Sequence, residues 1–164
     1  MGKKSVKQNK NIYQISREEA ELTRDKASEL MEFVSSDRIE KIESDKSVPH
    51  PDEIMAMADC YKNPSLCNHY CANVCPIGQE YVPAIELKDL PMIVLEMLAS
   101  LNSIEKEKNR LIEITADGEI SEDEYTDFGK IKEKLDKISL TVDSLQLWID
   151  HAMAHDEIDE DAFE

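Results

Sequence analysis

Three cysteines recur at every fourth residue in the stretch CNHYCANVC: Cys67, Cys71 and Cys75, with His69 among them and Cys60 seven residues upstream. On a helix this spacing sets the sulfurs along one drifting face. Thiolates there could hold zinc or an iron–sulfur cluster, with Cys60 as fourth ligand if the Asn63-Pro64 turn folds it back. Structural zinc sites usually join one C-x2-4-C knuckle to a second, distant pair, and this chain has no such pair. Two further readings stay open for the same residues: a thiol–disulfide switch, or small buried hydrophobes in a reducing compartment. No cofactor is expected beyond that metal or cluster.

A second stretch, SSDRIEKIESDK (residues 35–46), has the spacing of a short helix anchored by Ile39 and Ile42. That outline is one often used to read DNA. Ser36, Asp37 and Arg38 stand at its start with Lys41 one turn on, and Arg24 and Lys46 are placed for phosphates. Arg38 and Lys41 are the strongest candidates for base contacts, and Asp37 can accept from cytosine N4. Acids nevertheless outnumber bases in it, Asp37, Glu40, Glu43 and Asp45 standing against Arg38, Lys41 and Lys46.

The elements that would position these residues are helical. Glycine and proline number 4 and 6 in 164 residues and aromatics make up 5%, a composition that favours helix over sheet. QISREEAEL predicts a first helix with Ser16 as a cap. Thr23 caps a second, with Ala27, Leu30 and Met31 on one face, and Ser35 or Ser36 caps the third. Pro51 opens a fourth, with an apolar stripe of Ile54, Met55, Ala58 and Tyr61. Four short helices in about fifty residues fit the helix-turn-helix class, in which one helix braces the next against the major groove.

LTRDKASELMEFVSSDRIEKIESDKSVPHPDEIMAMAD resembles the Cro/repressor-type, or xenobiotic-response-element-type, helix-turn-helix family. Leu22, Thr23, Ile39, Ile42, Glu43, Pro49 and Ile54 carry the match. The chain departs from the family pattern at Ala27-Ser28 in the bracing helix, at Glu32 in place of a turn glycine, and at Ser44-Asp45 in place of Arg-Gly. Together with LCNHYCANVCPIGQEYVPAIELKDLPMIVLEMLASLN and EITADGEISEDEYTDF, it is similar to clostridial-type regulators with a helical C-terminal half. That resemblance implies a DNA-binding transcriptional regulator.

From Leu90 the apolar residues alternate in steps of four and three through Val94, Met97, Leu101 and Ile104. They resume as Phe128, Ile131, Leu135, Ile138, Val142, Leu145, Ile149 and Ala152. This is the rhythm of two long antiparallel helices packed along a seam. Flanking Ile93, Leu98, Ile112, Leu147 and Trp148 widen the stripe, which predicts a homodimer through this hairpin. Between the two arms, Asp117, Gly118, Ser121 and Glu124 echo the later half of a calcium loop, although a helix end followed by a capping box accounts for them equally. His151 and His155 lie one turn apart in a solvated helix end and have no role assigned.

The expectation is therefore an all-α chain: a basic flexible arm (1–11), a helix-turn-helix domain (12–63), a Cys-bearing connector (64–88), a helical hairpin for dimerisation (89–154) and an acidic tail (155–164). Net charge is −17, yet residues 1–10 carry four lysines and no acid, so a local basic patch remains compatible with double-stranded DNA as partner. No signal-like or membrane-length apolar run occurs, so a cytoplasmic protein with no membrane partner is expected. No nucleophile–base pattern, phosphate-cradling glycine loop or metalloprotease motif is present, and no enzyme activity is expected. The alternatives are an acidic protein-interaction module, an adaptor or antirepressor that keeps the scaffold without binding DNA, or a cysteine-based metal or redox sensor.

Overall fold

The computed structural model describes residues 9–159, and among these every regular element is a helix. In chain order they are α1 (Ile12–Glu19), α2 (Arg24–Met31), α3 (Ser36–Glu43), α4 (Pro51–Cys60), α5 (Ser65–Asn73), α6 (Pro76–Tyr81), α7 (Leu90–Glu105), α8 (Lys108–Ile114) and α9 (Tyr125–Ala154). No helix among the described residues is long and apolar enough to cross a membrane. Most of the expected basic arm, residues 1–8, and the end of the acidic tail, 160–164, lie outside the described residues.

Side-chain caps start the first three helices. Asn11 accepts from the Gln14 amide, Thr23 from Lys26 and Ser35 from Arg38, each satisfying a first-turn donor that has no partner within the helix. Ser16, expected as a cap, instead sits buried in the middle of α1, donating to the Ile12 carbonyl and accepting from Asn63. The stops are made without glycine. Glu21, Asp45 and Lys62 take positive φ of 58°, 57° and 54°. The amide after each reaches back to a carbonyl of the last turn: Leu22 to Arg17, Lys46 to Lys41, Asn63 to Ala58. These are Schellman endings, with the left-handed residue paid for by the carbonyls it satisfies.

One compact unit comprises residues 9–85 together with 149–159. Its core is Tyr13, Ala27, Met31, Val34, Ile39, Ile42, Ile54, Met57, Ala58, Tyr61 and Leu66. Each fully buried isoleucine there stabilises the fold by about 1.5–3 kcal/mol. Two expected positions change. Leu30 is exposed, and the stripe of α4 runs through Met57 rather than Met55, because steps of three and four from Ile54 reach 57, 58 and 61 while residue 55 lies about 100° away.

The segment expected as a connector belongs to this unit. Leu66 of α5 is wholly buried in the same core, and the Tyr13 and His69 rings meet edge to face with centroids 6.1 Å apart. α6 then packs on α5 through Gly78, where an added Cβ would lie 2.1 Å from the Cys71 carbonyl oxygen.

One buried carboxylate holds three helices. Glu43, in the last turn of α3, accepts from Arg17 of α1 at 2.6 and 3.1 Å and from Arg24 of α2 at 2.8 Å. Arg17 also donates to the Leu22 carbonyl in the turn between α1 and α2. Burial pushes the Arg17 guanidinium toward losing its proton, but hydrogen bonding to Glu43 and the Glu43 charge outweigh this and raise its pKa.

The second unit, Glu86–Trp148, places α7 and α8 against α9 in opposite directions. Lys134 pairs with Glu107 and, further along, Asp127 pairs with Arg110. Its first arm is two helices, interrupted at residues 106–107, rather than one. Four positions of the expected seam, Val94, Leu101, Leu135 and Val142, are exposed, whereas Ile131 and Ala152 of that seam are buried, as are Ile93 and Ile114 outside it.

Replacing Glu43 with Ala is expected to cost about 3–5 kcal/mol in urea unfolding, because Arg17 would be left buried without its counter-charge. A loss near 0.5 kcal/mol would place the pair among ordinary surface ion pairs. Gly78→Ala forces a side chain against backbone and is expected to cost about 1–3 kcal/mol; amide exchange that quickens in α6 would locate the damage.

Candidate nucleic-acid interface

α3 carries Ser36, Asp37, Arg38 and Lys41, four of the six residues expected to contact DNA, and it is fixed at both ends. Its last turn is held by Glu43. Its first turn is held by Arg38, whose Nε and Nη2 donate to the two carboxylate oxygens of Glu53 in α4 at 2.6 and 2.7 Å. The same guanidinium donates to the Val48 carbonyl at 2.9 Å and to the Ser47 hydroxyl. Glu53 in turn accepts from the His50 amide at 2.7 Å, so one carboxylate both orients the start of α4 and grips α3.

This arrangement divides the six expected contact residues into two groups. Arg38 is committed to the α3–α4 junction, where its planar fork matches the carboxylate bidentately. Arg24 pairs with Glu43 and keeps about a third of its side chain exposed. Ser36, Asp37 and Lys41 lie along the outward side of α3, Ser36 half-buried and the other two exposed. Lys46 is exposed just past the helix, with Glu40 at 3.7 Å. Inward go Ile39, Ile42 and Glu43, as the helical period requires.

The outward face is mixed in charge. Asp37 and Glu40 flank Lys41, and Asp45 at the exit accepts from the Asn11 side chain at 2.9 Å. Asn11 also donates to the Ile42 carbonyl at 2.8 Å, so the residue that caps α1 also supports the end of α3. Sequence reasoning missed Asn11, Ser47 and Glu53 as parts of this support. A usable signal existed for Glu53: it stands three residues after His50 with Pro51 between, the pattern of a helix start in which an acid reaches back to the backbone.

The cysteines are spread over three helices and their ends. Cys67 and Cys71 lie a turn apart on α5, Cys75 stands at the start of α6, and Cys60 ends α4; all four are free and half-buried. Among the described residues no group of three or more His, Cys, Asp or Glu side chains is arranged to hold a metal ion, Cys60, Cys67, Cys71 and Cys75 included. A helix can bring two of its cysteines to one level of its face; the third falls beyond the helix end. Burial pushes the Cys60 and Cys67 thiols up, with Cys71, Asp59 and Asp150 adding to the effect at Cys67. Neutral buried thiols pack as small apolar groups.

The turn that echoed a calcium loop is satisfied by its own chain. Glu124 accepts from the Ser121 amide and hydroxyl at 3.1 and 2.7 Å, Asp117 accepts from the Glu119 amide, and Gly118 supplies a φ of 81°.

Hydrogen bonding from Arg38 holds the Glu53 carboxyl below the usual glutamate range, against the opposing effect of burial. A depressed folded-state pKa contributes stability that is fully present above the unfolded value of about 4.3 and is lost as pH falls through the folded value. Urea unfolding is therefore expected to lose stability on acidification below that range, with a shallower loss in Glu53→Gln; identical slopes would show that the pair contributes nothing. No protein-family model matches the chain, and neither a curated protein nor a solved structure matches it.

Proposed function

We propose that this chain is a sequence-specific DNA-binding transcriptional regulator in which α2 braces α3 and α3 enters the major groove. The observation that carries this reading is that α3 is fixed at both ends by ion pairs while its Ser36–Asp37–Lys41 side stays open. A helix that reads bases must present a few side chains from a rigid position. Lys41 is the residue placed to donate to guanine O6 or N7, Asp37 to accept from cytosine N4, and Ser36 to do either. Lys46 and the exposed part of Arg24 meet phosphates. Arg38 serves as a positioning residue that sets the tilt of α3 against α4, in place of the base contact expected of it. The resemblance to Cro/repressor-type regulators points the same way.

A second reading is favoured by the charges on that face. Asp37 and Glu40 outnumber Lys41, and Leu30 in the last turn of α2 and Phe33 in the turn before α3 stand 55% and 62% exposed. An acidic surface with apolar side chains beside it suits a basic protein partner, which would make the chain an adaptor or antirepressor.

Selection of bound duplexes from a random pool at moderate salt separates the two. The regulator is expected to enrich one motif. Lys41→Ala should cost about 1–3 kcal/mol and relax preference at one position, whereas Lys46→Ala should weaken all duplexes alike and flatten the salt slope by about one unit. A pool that returns unenriched, with no salt-dependent retention, would sink the DNA reading and leave the protein partner.

A further inference from the structure

The turn between α2 and α3 is built differently from the other stops that lack glycine. At Glu21, Asp45, Lys62 and Asp156 the left-handed residue is followed by an amide that reaches the carbonyl five residues back: Leu22 to Arg17, Lys46 to Lys41, Asn63 to Ala58 and Glu157 to Ala152. Glu32, with φ 61° and ψ −50°, is followed by Phe33, whose amide donates to the Met31 carbonyl two residues back at 2.6 Å. That is a γ-turn of the rare, strained kind, a conformation that persists only where the surrounding packing imposes it.

Packing imposes it here. Met31 and Val34, on either side of the turn, are buried in the core of the first unit. Two residues carry the chain out of α2 and back to that core, and Phe33 is left outside, 62% exposed and two residues before the Ser35 cap of α3. Its ring stands on backbone anchored at both ends, so it meets a partner without further ordering of the chain. Glu29 and Glu32 are exposed beside it, Glu29 pairing with Lys26 at 2.9 Å. These carboxylates repel phosphate but can accept from base amino groups, so a duplex meets this turn favourably through its base edges and not through its backbone.

We propose that Phe33 reads a thymine by packing against its C5 methyl group, beside the bases met by Ser36 and Asp37. This rests on the DNA reading above. Phe33 and Ser36 are separated by at most about 10 Å of chain, and the major groove is about 12 Å wide, so an α3 whose first turn lies on base edges brings Phe33 to the same groove. The other groups that base pairs display there are hydrogen-bond donors and acceptors; the thymine methyl is the apolar one, against which a phenyl ring gains by contact. Phe33 thereby adds a preference that the polar side chains of Ser36, Asp37 and Lys41 do not supply. The side chain that the second reading gives to a protein partner takes a role in the first.

Replacing thymines one at a time by deoxyuridine, in the duplex that the random pool enriches, tests it, because the change deletes the methyl and leaves base pairing intact. At one position the wild type is expected to lose about 3- to 5-fold in affinity, the worth of one buried methyl group. Phe33→Ala should bind the thymine duplex more weakly and should no longer distinguish it from the uracil duplex. Helical circular dichroism should be unchanged, because Phe33 lies outside the core. Phe33→Leu, which keeps an apolar side chain, should retain part of the discrimination, and Ile77→Ala, exposed on α6, should retain all of it. An enriched motif whose uracil versions bind the wild type equally well, or one that Phe33→Ala discriminates as the wild type does, would overturn the role of Phe33 and leave the DNA reading in place. A pool without any enriched motif would overturn both.

Discussion

The first unit depends on Glu43. A carboxylate this deeply buried costs several kcal/mol to desolvate and is tolerable only when its oxygens are fully engaged by cations. Arg17 and Arg24 engage them from two different helices. The acid can be satisfied only when α1, α2 and α3 have assembled in one relative position, so it selects that position against other packings of the same apolar faces. Ile39 and Ile42 supply the burial energy of α3, but two isoleucines tolerate small rotations of a helix. A three-point ion pair does not, and the Arg38–Glu53 pair repeats the constraint at the other end of α3.

The same pairs redistribute charge. All four arginines of the chain, Arg17, Arg24, Arg38 and Arg110, bond to carboxylates, whereas Lys41 and Lys46 of the α3 region remain exposed. Physical chemistry favours this division. The guanidinium is weakly hydrated and forked, suiting a buried bidentate carboxylate, while the ammonium is strongly hydrated and stays in water. Counting bases and acids along SSDRIEKIESDK therefore misjudges the outward face twice. It includes Arg38, which is turned inward to Glu53, and Glu43, which is neutralised from within. What remains outward is Lys41 between Asp37 and Glu40, with Lys46 and Asp45 beside it, a surface of mixed charge.

Much of the fold was legible because its signals are local. Thr23 and Ser35 mark helix starts by a side-chain oxygen that reaches the first turn, and the spacing of Ile39, Ile42, Ile54, Ala58 and Tyr61 fixes which sides go inward. What was not legible depended on partners distant in the chain. Nothing near residue 38 says that its arginine is claimed by residue 53. Nothing in CNHYCANVC says that Leu66 joins the core of the preceding helices, drawing the supposed connector into the first unit. The left-handed exits at Glu21, Asp45 and Lys62 were hidden for another reason: glycine ordinarily marks them, and here ordinary residues adopt the strained conformation because the carbonyls behind them gain donors.

The seam of the second unit shows how a correct period still leaves the exact face open: Leu90, Met97, Ile104 and Ile131 of the expected seam are half-buried or buried, while Val94, Leu101, Leu135 and Val142 are exposed. On α7 the sets Leu90–Met97–Ile104 and Val94–Leu98–Leu101 both keep heptad rhythm, and they overlap in sequence because the helix is apolar over more than half its circumference. Hydrophobicity alone cannot rank two such registers. The choice is made by the neighbours that charge brings in: Lys88 draws Glu96 to one flank, and Lys134 finding Glu107 fixes how α9 lies along the other. Once those pairs set the inward side, the second apolar register is left over as surface. The exposed Val94, Leu98 and Leu101 are thus what the choice of register leaves over.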